Sequence, residues 1–160
     1  MEKTSDKIKS ATEAKKKVAE WKSKGQRVVF TNGCFDILHL GHVDYLEKAR
    51  NLGDKLIVGL NTDSSVSRFK GPQRPLQDQN SRARVLSSLQ FVDMVVLFDE
   101  DTPKELISTL VPDVLVKGSD YLAENIVGAD VVKNAGGEVR TIDLVQGYST
   151  TSIVKKIKET

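Results

Sequence analysis

Apolar positions along the chain change their period several times, and each change marks an element. Over residues 7–24, Ile8, Ala11, Ala14, Val18 and Trp21 recur at the spacing of one helix face among Lys and Glu, and Gly25 supplies a stop. Arg27 to Thr31 is a short apolar run without that period. It is followed by a helix from about Gly41 to Leu52, burying Tyr45, Leu46, Ala49 and Leu52 and ending at Gly53, and by a second apolar run at Lys55 to Asn61. The stretch 70–80, KGPQRPLQDQN, carries two Pro and a Gly among polar residues and predicts a long loop. A helix from about Ser81 to Gln90 and an apolar run at Met94 to Phe98 come next. Thr102-Pro103-Lys104-Glu105 has capping-box spacing with Pro at the first helical position, so a helix is expected from there to near Val111-Pro112. The remaining elements are a strand at Val114 to Lys117, a helix over about Asn125 to Asn134 stopped by Gly136 and Gly137, a strand at Glu138 to Leu144, and a last helix opened by Ser149.

Short β-branched runs separated by helices predict an α/β fold: a Rossmann-like, doubly wound, five-stranded parallel sheet with helices on both faces. The expected organisation is an N-terminal helical extension over residues 1–25 and a single domain over 26–160. Ligands of such sheets lie beyond the carboxyl ends of the strands.

Composition narrows the partners. With 160 residues the chain buries a core without disulfides, and its 39% hydrophobic and 29% charged residues are those of an ordinary globular protein. Net charge is only +2 and much of the Lys excess lies in the first 24 residues, which argues against a nucleic-acid partner. No apolar run approaches the roughly 20 residues of a membrane span, and no apolar segment follows the charged N-terminus as in a secretory signal. Cys34 is the only cysteine, so no internal disulfide forms, and a reducing cytoplasm is the expected location.

The densest cluster of chemistry follows the first strand: Thr31-Asn32-Gly33-Cys34-Phe35-Asp36-Ile37-Leu38-His39-Leu40-Gly41-His42, which holds both histidines of the chain. Three residues apart at a helix start, His39 and His42 share a face at its positive end. Gly41 between them opens the backbone to a phosphate, which the free N–H groups of the first turn would bind. Ordinary capping and packing would also account for two histidines. A zinc site of Cys34, Asp36 and both His is disfavoured for want of a second Cys or another His, so no metal-ligand set is assigned. Near the C-terminus, Ser149 as N-cap with Thr150 and Thr151 makes a second hydroxyl-rich helix start, suited to phosphates or to capping alone. Cys34, beside Phe35, reads as a packed residue and not a nucleophile. Neither G-x-G-x-x-G nor G-x-x-x-x-G-K-[ST] occurs, which disfavours redox-dinucleotide and P-loop sites.

The segment HLGH behind a strand and a GCFD loop resembles the HxGH signature of the cytidylyltransferase-like nucleotidyltransferase superfamily, and GYSTTSI at 147–153 is similar to its second signature. The resemblance runs from about Arg27 to Lys158 and is closest to heptose 1-phosphate adenylyltransferases, on the segments TNGCFDILHLGH, LNTDSSVSRFKGPQRP, VKGSDY, GGEV and YSTTSIVKKI. It implies transfer of AMP from ATP to D-glycero-β-D-manno-heptose 1-phosphate with release of pyrophosphate, in the synthesis of the ADP-heptose used for lipopolysaccharide core. Magnesium would accompany the ATP. A CTP-dependent enzyme acting on glycerol 3-phosphate or a related polyol phosphate is the alternative, and a non-catalytic nucleotide-binding module is the alternative of another class. Base choice is not legible in the sequence.

The same resemblance implies the residue roles. His39, His42 and Lys70 would be catalytic. The nucleotide would be bound by Thr31, Asn32, Gly33, Cys34, Phe35 and Gly41, by Arg82 on the β and γ phosphates (with Arg84 as the other candidate), by Lys117 and Gly118, and by Tyr148, Ser149, Thr150 and Thr151. Asp36, Asp63, Asp120 and Tyr121, with Lys117, would line the sugar phosphate pocket. Superfamily habit and the amphipathic first helix imply a homodimer, and a separate sugar kinase is expected in the same pathway.

Overall fold

A computed structural model describes residues 1–160. Five strands, β1 (Val28–Gly33), β2 (Lys55–Asn61), β3 (Met94–Phe98), β4 (Val114–Gly118) and β5 (Glu138–Ile142), form one sheet in the order β3-β2-β1-β4-β5, with every neighbouring pair parallel. This is the doubly wound sheet expected. Side chains alternate across it: Val28, Phe30, Ile57 and Met94 enter one core with Ala14, Val18 and Trp21, while Val29, Leu56, Val58 and Val95 enter the other with Tyr45, Leu46 and Ala49. Because both faces are covered, the central strands read as continuous apolar runs.

Seven helices surround the sheet: α1 (Ala11–Ser23), α2 (Leu40–Arg50), α3 (Asp63–Lys70), α4 (Gln79–Ser87), α5 (Lys104–Leu110), α6 (Ala129–Asn134) and α7 (Thr150–Lys158). Several bounds differ from expectation for local reasons. The first helix begins at Ala11, not near residue 7, because Ser10 and Glu13 close a capping box in which each side chain accepts the other's backbone N–H. Residues Thr4–Lys7 form a 3-10 turn instead, and Ile8 leaves the helical face to make a parallel bridge with Val95 at the sheet edge. Residues 63–70 fold as α3, capped by Thr62, whose hydroxyl accepts from the Ser65 N–H. The Thr102 box does not form: Pro103 sits at the cap, and the Thr102 hydroxyl accepts weakly from the Lys104 N–H at 3.4 Å. The helix expected over 125–134 divides into a 3-10 turn at Ala123–Asn125 and α6.

The chain order reverses around β1, whose two neighbours β2 and β4 are reached by connections leaving in opposite directions, and this is where such sheets open a crevice. The carboxyl ends of β1, β2, β3 and β4, at Asn32-Gly33, Asn61, Phe98 and Lys117-Gly118, all face that crevice.

Candidate active site

Two cavities lie side by side at the strand ends. One, of about 450 Å³, is bounded by Asn32, His39, Gly41, His42, Tyr45, Lys70, Lys117, Gly118, Asp120, Tyr121, Leu144, Val145, Tyr148 and Ser149 to Thr151. The other, of about 540 Å³, is bounded by Asn32, Gly33, Cys34, Asn61, Phe69, Lys70, Phe98, Asp101, Thr102, Pro103, Lys117, Tyr121 and residues 125–127. They share Asn32, Lys70, Lys117 and Tyr121, so two ligands seated in them would meet across two cations. Each volume suits a small polar molecule.

The local folding of the first cavity follows from its sequence. His39 is the N-cap of α2, and its Nδ1 accepts the Gly41 N–H at 3.1 Å. In the neutral ring the proton therefore resides on Nε2. The expectation that the first-turn N–H groups are free for a phosphate is corrected here: Gly41 N–H is given to His39 Nδ1 and His42 N–H to the His39 carbonyl. Gly41 serves the ring instead. A Cβ there would stand 2.9 Å from His39 Cε1 and 3.5 Å from Tyr148 Cβ. The two imidazoles stack with centroids 3.8 Å apart, and the Phe35 ring meets His42 edge-on at 5.1 Å. Phe35 holds this place with φ +47°, a conformation uncommon for a residue with a Cβ, and a Cβ on Gly33 would meet its ring at 2.9 Å.

Burial shapes the electrostatics. Desolvation, followed by the neighbouring His39 and Lys70, lowers the His42 pKa to about 4, and desolvation also lowers that of His39. A contact with the Ile37 backbone acts in the opposite sense on His42 but falls short of hydrogen-bond geometry, and His42 Nδ1 is a buried polar atom without a partner. Lys117 is also lowered by burial, against the Asp120 carboxylate, and its Nζ donates to the Asn32 carbonyl at 3.3 Å. Burial raises the Cys34 thiol, whose strongest opposing influence is Lys70. At the far side of the cavity the Ser149 hydroxyl caps α7 by accepting from the Ser152 N–H at 3.0 Å, and the Thr150 hydroxyl donates to the Ile37 carbonyl at 3.4 Å. That bond ties the last helix to the loop preceding His39.

Five expected contact residues stand behind the walls. The Thr31 hydroxyl donates to the Val116 carbonyl at 2.9 Å and so accepts from the Tyr45 hydroxyl at 2.7 Å, fixing α2 to the sheet. Phe35 packs under His42. Asp36 is buried and accepts the N–H groups of Leu76 and Gln77 at 2.8–2.9 Å, with Arg74 at 3.7 Å, so it clamps the loop after α3. Arg82 is wholly buried, and its guanidinium donates to the carbonyls of Gln77, Cys34 and Asn61 and to the Asp63 carboxylate, all within 2.9 Å. It is a hub between loops and does not reach the cavity surface, while Arg84 faces the N-terminal segment through Thr4. Asp63 is occupied as the partner of Arg82. The other expected residues, from Asn32 to Thr151, line one or both cavities, but Gly33 and Cys34, expected at the nucleotide, border only the cavity without the histidines, and Asp120, expected at the sugar phosphate, borders only the cavity with them. Sequence reasoning missed Asn61, Phe69, Phe98, Asp101, Thr102 and Asn125. They come together only through strand order, although a strand-end position was a usable signal for Asn61 and Phe98. No three His, Cys, Asp or Glu side chains converge as a metal set.

The cytidylyltransferase-like family model matches residues 30–156. The chain is 58% identical over 153 residues to "Bifunctional protein HldE" of Magnetococcus marinus, covering 96% of this chain and 31% of that one. It is 60% identical over 134 residues to the protein of the same name from Syntrophotalea carbinolica, covering 84% of this chain and 27% of that one. The chain thus spans under a third of these curated relatives. Among solved structures, the lipopolysaccharide core biosynthesis protein of Thermoplasma volcanium is similar with TM-score 0.61 and 32% identity, covering 78% of this chain and all of that one. No helix is long and apolar enough to cross a membrane.

Proposed function

The chain belongs to the cytidylyltransferase-like family of nucleotidyltransferases, and from that premise we propose that it transfers AMP from ATP to D-glycero-β-D-manno-heptose 1-phosphate, giving ADP-heptose and pyrophosphate. ATP occupies the cavity of His39, His42 and Ser149 to Thr151, and the sugar phosphate occupies the cavity of Cys34, Asn61, Phe69 and Thr102. The observation that carries this reading is the shared wall, since Lys70 and Lys117 border both cavities.

A phosphate oxygen of the sugar 1-phosphate attacks the α-phosphorus in line. A new P–O bond forms as the bond to the β-phosphate oxygen breaks, and pyrophosphate leaves with that electron pair. The attacking phosphate is already ionised, so no general base is needed, and the protein contributes position and charge neutralisation. His39 donates from Nε2 to the α-phosphate, and His42, neutral over the physiological range, supports it by stacking and by its own N–H. Lys70 draws the two phosphates together, while the Thr151 hydroxyl and the N–H groups at the start of α7 face the terminal phosphates. Magnesium would arrive on the ATP and add positive charge. With no convergent carboxylate set, its ligands would be chiefly phosphate oxygens. A sugar kinase would supply the 1-phosphate, and the working form would be a cytoplasmic homodimer.

The test is a panel of ATP and CTP against β-heptose 1-phosphate and glycerol 3-phosphate, scored by pyrophosphate release. Turnover confined to ATP with the heptose phosphate is the expected result. Turnover of CTP with glycerol 3-phosphate alone would replace the substrate assignment, and binding of ATP without turnover of any pair would reject catalysis.

A further inference from the structure

A third cavity, of about 460 Å³, opens between the loop after α3 and one face of α7, bounded by Arg74, Thr151, Val154, Lys155, Lys158 and Glu159. On α7 these residues follow the spacing i, i+3, i+4, i+7 and i+8, a single helical face. Thr151 bounds this cavity and the one with both histidines, so the two are adjacent at the end expected for the terminal phosphates. Three cations face one carboxylate, Glu159. Arg74 is not a loose surface side chain: it is only a quarter exposed and is fixed by the buried Asp36 carboxylate 3.7 Å away. Lysines in the last turn of a helix also offset its dipole, and that accounts for having three of them there. It does not account for Lys155 and Lys158 both lying on the face turned toward Arg74, while Lys156 lies off it.

We propose that this cavity is a second anion site, which takes inorganic pyrophosphate as it departs from the reaction centre. The proposal rests on the adenylyl transfer above for the source of the anion, and on the cation-lined cavity alone for its binding. The polyanion passing Thr151 enters the cavity that the lysines of α7 and Arg74 of the loop after α3 bound, so release is a transfer between adjacent sites and not a single escape from the triphosphate cleft. Lys155 and Lys158 take no part in the chemistry.

The test uses the full chain and inorganic pyrophosphate. In Lys155→Ala/Lys158→Ala, the inhibition constant for pyrophosphate is expected to rise ~10-fold, the loss of two partly solvated charge-assisted contacts, with KM for ATP changed less than about 2-fold. The charge-conserving Lys155→Arg/Lys158→Arg variant is expected to restore inhibition. An unchanged inhibition constant would overturn the proposal, as would equal rises in the inhibition constant and in KM for ATP, which would make the lysines part of the triphosphate cleft. Should no substrate pair turn over, calorimetric titration of pyrophosphate into the wild type and the same variants decides the site independently of the activity. Equal affinity in both would sink it.

Discussion

Arg82→Met separates an interior role from a phosphate-binding role. In the folded chain this guanidinium makes four hydrogen bonds, three to the backbone carbonyls of Gln77, Cys34 and Asn61 and one to Asp63, from a side chain with no exposed surface. Met fills part of the volume and supplies no donor. Gln77 is exposed, so water replaces its lost partner, and Asp63 is 40% exposed, so its carboxylate is resolvated. The carbonyls of Cys34 and Asn61 are left without a donor, at about 1–3 kcal/mol each, or about 2–6 kcal/mol together. At roughly 2–4 °C per kcal/mol for a domain of this size, Tm should fall by about 10 °C. Urea unfolding should show a lower midpoint at unchanged slope. Arg82→Lys, retaining one charge but only three donors on a thinner head, should lose less, about 2 kcal/mol. The reasoning is refuted if Arg82→Met unfolds within about 0.5 kcal/mol of wild type while KM for ATP rises 10-fold or more, the signature of a guanidinium whose partner is a phosphate.

Two further outcomes follow from the histidine pair. Gly41→Ala places a methyl group 2.9 Å from His39 Cε1 and 3.0 Å from Nδ1, displacing a side chain and not the backbone. Tm should hold within a few degrees while kcat falls roughly 10- to 100-fold, because a shift of tenths of an ångström misaims the donor. An unchanged kcat would remove His39 from the reaction. With only two histidines in the chain, their ring signals can be followed by NMR as pH is lowered. One midpoint is expected near 4 (His42) and the other below the ordinary imidazole value of 6.5. The sign of the linkage follows: a folded-state pKa below the unfolded one means that the stability due to a neutral His42 is complete above about pH 6.5 and is lost as pH falls toward about 4. A His42 midpoint at or above 6.5 would contradict the burial assigned to it.

What the sequence disclosed and what it concealed divide along range of interaction. β2 and β3 are found at the residues expected because both are unbroken apolar runs bounded by polar residues, and a strand buried on two faces leaves no other pattern. The HLGH and STT segments were visible because each is a local device, an N-cap followed by a helix start. α3 is faint in the sequence because DSSVSRFK offers three Ser and buries only Ser65 and Val66, so neither propensity nor periodicity marks its extent. Its one local sign is Thr62 as cap. The start of the first helix at Ala11 does carry a local sign, Ser10 with Glu13. Arg82, Asp36 and Asp63 belong to another class. Their residue types are those of phosphate and sugar sites, and only three-dimensional proximity reveals that Arg82 and Asp36 bind backbone groups of the loops that shape the cleft and that Asp63 pairs with Arg82.

The most direct measurement is a crystal structure with a non-hydrolysable ATP analogue. The expected electron density puts the α-phosphate within hydrogen-bond distance of His39 Nε2, the terminal phosphates at Thr150 and Thr151, and Lys70 Nζ on the side of the α-phosphate that faces Cys34 and Asn61. A triphosphate bound with its α-phosphate away from both imidazoles, or with its terminal phosphates away from the start of α7, would contradict the assignment of the cleft.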